Sequence, residues 1–149
     1  MVAWSYSCRS KQNFHVSPII NFEALETDHS AIRIGRITEG LLLSIAETVD
    51  IVEPIAKFSD LLKGKEGIGR IWNIGLEEWS FDGGDAHEST KYDLIWNQWC
   101  LGHLTDVQLT EYLKKCAKAL SPGGWIVVKE NLSTAGKDIF DDVDSSVTR

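Results

Sequence analysis

The most constraining feature of this chain is the regular alternation of two kinds of apolar segment. Between residues 37 and 129, segments with helical spacing alternate with short apolar runs typical of buried strands, and the connections are short. This order predicts an α/β fold, a parallel sheet flanked by helices, with ligands bound beyond the carboxyl ends of the strands. Strands are predicted at residues 49–53, 68–74, 92–98 and 125–129, with a weaker strand at 31–34.

Three segments carry the spacing of amphipathic helices. In the first, Ile37, Leu41 and Ile45 fall on one face. The third begins with a capping box, because Thr105 and Gln108 are spaced to satisfy each other's backbone N–H groups. The predicted ranges are 37–47, 54–64 and 105–120.

The two ends of the chain fit this pattern less well. Residues 1–29 show no sustained periodicity and are predicted to form an irregular N-terminal segment, ahead of a partial domain over residues 30–149. An acidic loop is expected after the last strand. Because an open parallel sheet usually holds more strands than these, the sheet is expected to be incomplete.

Composition excludes several classes of partner. The 22 acidic and 15 basic residues give a formal charge of −7, which would repel a phosphate backbone, so no nucleic-acid partner is expected. No apolar run approaches the roughly 18 residues of a membrane span, so no membrane partner is expected. Cys8, Cys100 and Cys116 lack metal-ligand spacing. We therefore expect no metal site, and reduced thiols in the cytoplasm or nucleus.

Two positions next to predicted elements suit a nucleotide-like ligand. Glu53 ends a predicted strand, where a carboxylate accepts hydrogen bonds from ribose hydroxyls in nucleotide-binding folds. A solvated surface glutamate is the alternative interpretation. Gly35 precedes the first helix without the rest of a phosphate-binding glycine motif, so it also fits an ordinary turn.

A dense polar and aromatic segment follows the predicted strand at residues 92–98. Trp99 offers a flat wall to an apolar or cationic group, and His103 can take up a proton near neutral pH. The alternative places Trp99 in the core and hydrogen-bonds His103 to Asp106. Carboxylates after the last strand suit a cationic substrate, although they also fit a solvated loop. They are Asp141, Asp142 and Asp144.

Three parts of the sequence together resemble the α-N-terminal protein methyltransferases. They are IGRITEGLLL at 34–43, IWNQWCLGHLTD at 95–106, and VVKEN at 127–131 paired with DDVDSSVTR at 141–149. The resemblance implies a Rossmann-like class I methyltransferase sheet and S-adenosylmethionine as cofactor. It also implies methyl transfer to the α-amino group of protein N-termini. The favoured N-terminus begins with a small residue, followed by Pro and then Lys (X-Pro-Lys).

The resemblance also implies a role for individual residues. Trp99, Asn131 and Asp141 would line the channel for the substrate N-terminus. Asp144 and His103 would orient the amine and accept its proton. The implied cofactor contacts are Gly35, Arg36, Glu53, Gly75, Leu76 and Gln98.

One stretch departs from the family pattern. The family's glycine loop runs Asp-x-Gly-x-Gly-x-Gly-Arg, whereas Ser30, Ala31, Ile32 and Arg33 precede Gly35 here, so two glycines and the acidic residue are replaced. Side chains would then stand where backbone must approach the ligand. Two alternatives stay open: an inactive remnant that binds basic N-terminal peptides, and a small-molecule methyltransferase or nucleotide-binding enzyme of the same fold.

Overall fold

A computed structural model describes residues 15–20, 35–80, 91–143 and 145–149 of the chain, with the backbone alone for 15–20. The strands are β1 (His15–Ile20), β2 (Thr48–Val52), β3 (Ile68–Trp72), β4 (Tyr92–Gln98), β5 (Leu120–Lys129), β6 (Ile139–Asp141) and β7 (Ser146–Thr148). The helices are α1, a π-helical turn at Thr38–Leu42 continued by an α-helical turn at Leu43–Ile45; α2, Ala56–Ser59 continued by a 3-10 turn at Asp60–Leu62; and α3, Asp106–Ala119. A separate 3-10 turn spans Leu101–His103. None of the helices in these ranges is long and apolar enough to cross a membrane.

The first five strands form one parallel sheet in the order β3-β2-β1-β4-β5. The chain builds outward from β1 to β3, then returns to the other side of β1 with β4 and β5. The strand order therefore reverses between β1 and β4. In parallel sheets of this kind, ligands bind at the carboxyl ends of the strands near that switch point. The strands predicted at 49–53, 68–74 and 92–98 are confirmed to within two residues.

The central strand β1 comes from the segment predicted to be irregular. Its backbone pairs with β2 on one side and with β4 on the other. Pro18 lacks an N–H group, and a proline argues against a central strand when only the local sequence is considered. The strand predicted at 31–34 lies outside the described residues, as do 1–14 and 21–30, so the domain boundary at residue 30 stays a prediction.

Helix α1 is confirmed, but its predicted buried face is wrong. Leu41 and Ile45 are 37% and 43% exposed, whereas Thr38, Leu42 and Ala46 are buried. Both sets repeat every four residues, one position apart, so the spacing does not decide which set faces the sheet. Within the helix Leu42 joins the core cluster, and Ala46, the residue directly after the helix, joins it as well.

The C-terminal third departs from the prediction at two places. The strand predicted at 125–129 is confirmed as the second half of β5, but β5 begins earlier, at Leu120, and its pairing with β4 shifts register between Tyr92 and Leu94. The expected acidic loop contains an antiparallel hairpin, β6 and β7. Its strands are three residues long, too short for an alternating pattern to be recognised.

The capped helix α3 covers one face of the sheet and fixes the end of β4. The predicted capping box is present, with the Gln108 N–H donating to Thr105 Oγ1 and the Thr105 N–H donating to Gln108 Oε1. Tyr112 is fully buried and donates its hydroxyl to Asn97 Oδ1 at 2.6 Å. Burial raises the pKa of Tyr112, so this donor keeps its proton and anchors the carboxyl end of β4.

Candidate functional site

A cavity of about 210 Å³ lies where β4 and β5 end. Three residues that the sequence singled out for substrate binding or catalysis line it: Trp99, His103 and Asn131. Trp99 directly follows β4, and Glu130 directly follows β5. Because the two strands are parallel, both residues lie at the same edge of the sheet. The other lining residues are Leu101, Gly102, Leu109, Val128, Glu130, Leu132, Ser146, Val147, Thr148 and Arg149.

Trp99 has a backbone conformation that bulky residues rarely adopt. Its φ is +53°, in the left-handed region, and its N–H donates to the Lys129 carbonyl at 3.0 Å. The indole is 37% exposed, and the Lys129 ammonium lies 5.1 Å from a ring centroid. The interpretation of Trp99 as a core residue is therefore wrong. Backbone strain of this kind is concentrated at functional sites, where the surroundings hold it in place.

His103 ends the short 3-10 turn that follows Trp99 and faces the same cavity, half-buried. The alternative that bonded it to Asp106 is wrong, since that carboxylate accepts from Arg149 Nη2 at 2.8 Å instead. His103 thus stands beside Trp99 at the cavity, where an imidazole could exchange a proton with a bound amine.

The acidic residues of the C-terminal hairpin are not all placed at the cavity. Asp141 lies on β6, exposed, and its carboxylate accepts from the Val143 N–H at 2.8 Å; it is not among the lining residues. Asp144 lies outside the described residues, so its catalytic role stays a prediction. Ser146 of β7 does line the cavity, which brings the hairpin to the substrate side of the sheet.

Glu53 is buried and hydrogen-bonded at the carboxyl end of β2, so the interpretation as a solvated surface glutamate is wrong. It is 1% exposed, and its Oε1 accepts from the Ile55 N–H at 2.8 Å. Its own N–H donates to the Trp72 carbonyl, and Asn73 Nδ2 donates to its carbonyl oxygen at 2.9 Å. The carboxylate is therefore held at the carboxyl end of β2, where ribose hydroxyls bind in folds of this kind.

The turn before α1 requires glycine at position 35. Gly35 is buried at φ +81°, and a Cβ there would lie 2.8 Å from Leu62 Cδ2. Arg36 is exposed beside it. The Thr38 hydroxyl, one turn on, is buried with no hydrogen-bond partner among the described residues. The start of α1 thus combines a glycine turn packed against Leu62 with a buried hydroxyl that has no partner among the described residues.

The remaining predicted cofactor residues follow β3 and end β4. Gly75 is half-buried beside the exposed Glu77 carboxylate, and Leu76 is buried in the core. Gln98 is 2% exposed and accepts from Trp96 Nε1 at 3.2 Å. A buried carboxylate after β2, a glycine turn before α1 and an apolar residue after β3 fit an adenosine-containing cofactor.

Two functional candidates escaped prediction from the sequence. Glu130 accepts two backbone N–H groups from the turn that carries His103, and Arg149 donates to two of its carbonyls. Both residues lie in segments whose similarity to the family was noted. Their partners, however, are 29 to 48 positions away, so only the folded chain reveals them. The described residues contain no group of three or more side chains suited to holding a metal.

Two known proteins are similar to this chain over most of its length. An alpha N-terminal protein methyltransferase 1 of Schizosaccharomyces pombe is 41% identical, over 99% of this chain and 64% of its own length. An N-terminal Xaa-Pro-Lys N-methyltransferase 1 of Xenopus tropicalis is 44% identical, over 78% of this chain and 51% of its own. The chain thus spans between half and two thirds of the length of these relatives.

Solved structures and a family model point the same way. A S-adenosylmethionine-dependent methyltransferase from Leishmania major superposes with a TM-score of 0.70 and 28% identity, over 95% of this chain and 52% of that one. The N-methyltransferase NodS from Bradyrhizobium japonicum, in complex with S-adenosylhomocysteine, shares the fold alone, with a TM-score of 0.56 and 18% identity over 77% of this chain and 51% of that one. The sheet is therefore that of the class I methyltransferases. The family model described as AdoMet dependent proline di-methyltransferase matches residues 16–149, and the chain belongs to that family.

Proposed function

We propose that this chain transfers methyl groups from S-adenosylmethionine to the α-amino group of protein N-termini that begin Xaa-Pro-Lys. Family membership supports the reaction, and the names of the relatives support the substrate class. The observation that carries the proposal is the shared cavity of Trp99, His103 and Asn131 at the carboxyl edge of the sheet. Its proton acceptor, aromatic wall and amide are the groups that an N-terminal amine followed by proline needs.

The cofactor would bind along the ends of β1 to β4. Glu53 would accept from the ribose hydroxyls, and Gly35 with Arg36 would hold the methionine part. Gly75 and Leu76 would flank the adenine, with Gln98 beside them. When bound, the cofactor supplies an electrophilic methyl group on its sulfonium.

On the substrate side, the chain must remove a proton before the amine can attack. A protonated amine has no lone pair, so His103, aided by Asp144, would accept its proton and hold the nitrogen in line with the methyl group. Trp99 would pack on the proline ring. Asn131 and Asp141 would bind the peptide backbone and the lysine that follows.

The finer features of this protein are likewise proposals. The glycine loop would be altered, because Ser30, Ala31, Ile32 and Arg33 precede Gly35 where the family pattern has two further glycines and an acidic residue. We also propose that the protein works in the cytoplasm or nucleus, where its cysteines would stay reduced.

The test is methyl transfer by the full chain to a synthetic peptide that begins Ser-Pro-Lys, followed by mass spectrometry. The matched control is the same peptide with an acetylated N-terminus, which has no free amine. We expect mass increases of one or more methyl groups on the free peptide alone. Binding of the peptide without transfer would identify an inactive binding protein, and methylation of both peptides would overturn the assignment of the α-amine.

A further inference from the structure

The segment that carries Trp99 and His103 is held at both ends by charged side chains. At its start, Glu130 Oε1 accepts from the N–H groups of Cys100 at 2.9 Å and Leu101 at 3.1 Å. These N–H groups stand at the start of the 3-10 turn Leu101–His103, and a carboxylate binds such donors strongly. Glu130 thus fixes the turn directly after the strained Trp99.

At the other end, Arg149 binds the carbonyl side of the same turn. Its Nη1 donates to the Leu101 carbonyl at 3.3 Å and its Nη2 to the Leu104 carbonyl at 2.7 Å. The guanidinium also pairs with the Asp106 carboxylate at 2.8 Å. The planar fork of arginine suits this multiple contact, which a lysine ammonium cannot reproduce.

The hairpin that leads to Arg149 packs directly on the turn. A Cβ at Gly102 would lie 3.1 Å from the Val147 carbonyl oxygen, so backbone meets backbone there. Glu130 and Arg149 also line the cavity that Trp99 and His103 line. Glu130 therefore binds the N–H side and Arg149 the carbonyl side of one short turn whose residues line the cavity.

We propose that Glu130 and Arg149 are positioning residues, a clamp that holds Trp99 and His103 in the geometry needed to receive the substrate. The charge-assisted hydrogen bonds of Glu130 with the N–H groups and of Arg149 with the carbonyls stabilise one arrangement of the turn. The clamp also keeps Trp99 in its left-handed conformation, which persists only where the surroundings hold it. The consequence for peptide binding rests on the proposed function, whereas the clamp itself does not.

The test compares Glu130→Ala with Glu130→Gln, which keeps an acceptor oxygen, by amide hydrogen exchange in NMR spectra. With Glu130→Ala, the Cys100 and Leu101 amides should exchange roughly tenfold faster or more, because they lose a charged acceptor. Glu130→Gln should stay within about threefold of wild type. Glu111→Ala is the matched control, since it removes an exposed ion pair on α3 away from the turn. Unchanged exchange in Glu130→Ala would overturn the clamp.

Affinity for the Ser-Pro-Lys peptide and for S-adenosylhomocysteine, measured by calorimetry, separates positioning from general damage. Glu130→Ala and Arg149→Ala should each weaken peptide binding about tenfold and leave cofactor affinity within twofold. The double variant should lose little more, because either change alone releases the same turn. Equal loss of both ligands would contradict a positioning role.

Two results keep the clamp and the proposed function distinguishable. If the wild-type chain binds no peptide, the proposed function fails, and the exchange rates at Cys100 and Leu101 still decide the clamp. If Glu130→Ala does not fold, Arg149→Ala decides, because either change releases the same turn: faster exchange of the Cys100 and Leu101 amides supports the clamp, and wild-type exchange overturns it.

Discussion

At the scale of single residues, buried polar groups with named partners hold the sheet. Asp50 is 1% exposed and accepts from Arg70 Nη2 and from the Tyr92 hydroxyl, both at 2.9 Å. Burial, then the neighbouring Asp50, raises the pKa of Tyr92, so the phenol stays a donor. Asp50 thus links β2, β3 and β4 through one carboxylate.

Tyr92→Phe tests this network without changing the packed ring. The variant removes one donor to a buried carboxylate, so the free energy of unfolding should fall by about 1–2 kcal/mol. Urea denaturation followed by fluorescence measures it. A loss near zero would mean that Arg70 alone satisfies Asp50.

Stability should fall in alkali because of Cys116. Burial raises the pKa of this thiol from 9.0 to about 11. The native state therefore keeps a proton that the unfolded chain releases, so its contribution is complete below pH 9 and declines between pH 9 and 11. The decline should be on the order of 2 kcal/mol.

The measurement is urea denaturation of wild type and Cys116→Ala at several pH values between 7.5 and 11. Because the tyrosines titrate in both proteins, the difference between the two isolates the thiol. That difference should shrink as pH rises. A constant difference would show that the thiol does not titrate differently in the two states.

At the scale of elements, helix α3 depends on its capping box. Thr105→Ala removes the side-chain acceptor for the Gln108 N–H, and the free energy of unfolding should fall by about 1 kcal/mol. Thr110→Ala is the control: its hydroxyl only back-bonds to the Asp106 carbonyl within the helix, so the change should be neutral or slightly stabilising. Equal losses in both variants would mean that the cap adds nothing.

Elements could be predicted where their own residues determine them. The run YDLIWNQ has a strand's composition, and β4 has the predicted bounds. The capping box likewise predicted the start of α3. Strand β1 could not be predicted, because pairing with two neighbours specifies it while Pro18 argues against it locally. The hairpin was missed because strands of three residues leave no pattern.

For the site, too, only features set by the local sequence could be predicted. The chemistry of Trp99, His103 and Glu53 was visible from their types and from the strand ends that they follow. The contacts of Glu130 and Arg149 were not, since each joins segments far apart in the chain. Local sequence therefore indicates which chemical groups stand at the strand ends, and long-range packing decides how they are held.

At the scale of the whole molecule, the carboxyl edge of the sheet divides into two halves. The end of β2 carries the buried Glu53, and the ends of β4 and β5 carry the cavity. A cofactor held by the first half would present its methyl group toward the second. Changes in one half should therefore leave binding in the other half nearly intact.

Glu53→Ala should weaken cofactor binding alone. Loss of a charged acceptor for the ribose hydroxyls should raise the Kd for S-adenosylhomocysteine roughly tenfold or more. Glu47→Ala, an exposed acidic residue before β2, is the charge-matched control. Calorimetric titration measures both, and the peptide Kd should stay within twofold. Loss of peptide affinity in Glu53→Ala would mean that the two halves are not separate.

The most direct test of this division into a cofactor half and a substrate half is the turnover of His103→Ala on the Ser-Pro-Lys peptide at saturating cofactor. Without the imidazole at the cavity, the amine keeps its proton, and kcat should fall by roughly 10²-fold, the usual effect of losing a positioned base. The Kd for S-adenosylhomocysteine should stay within twofold. Full turnover in His103→Ala, or a loss of cofactor affinity that accounts for the slower rate, would contradict the placement of the amine beside His103.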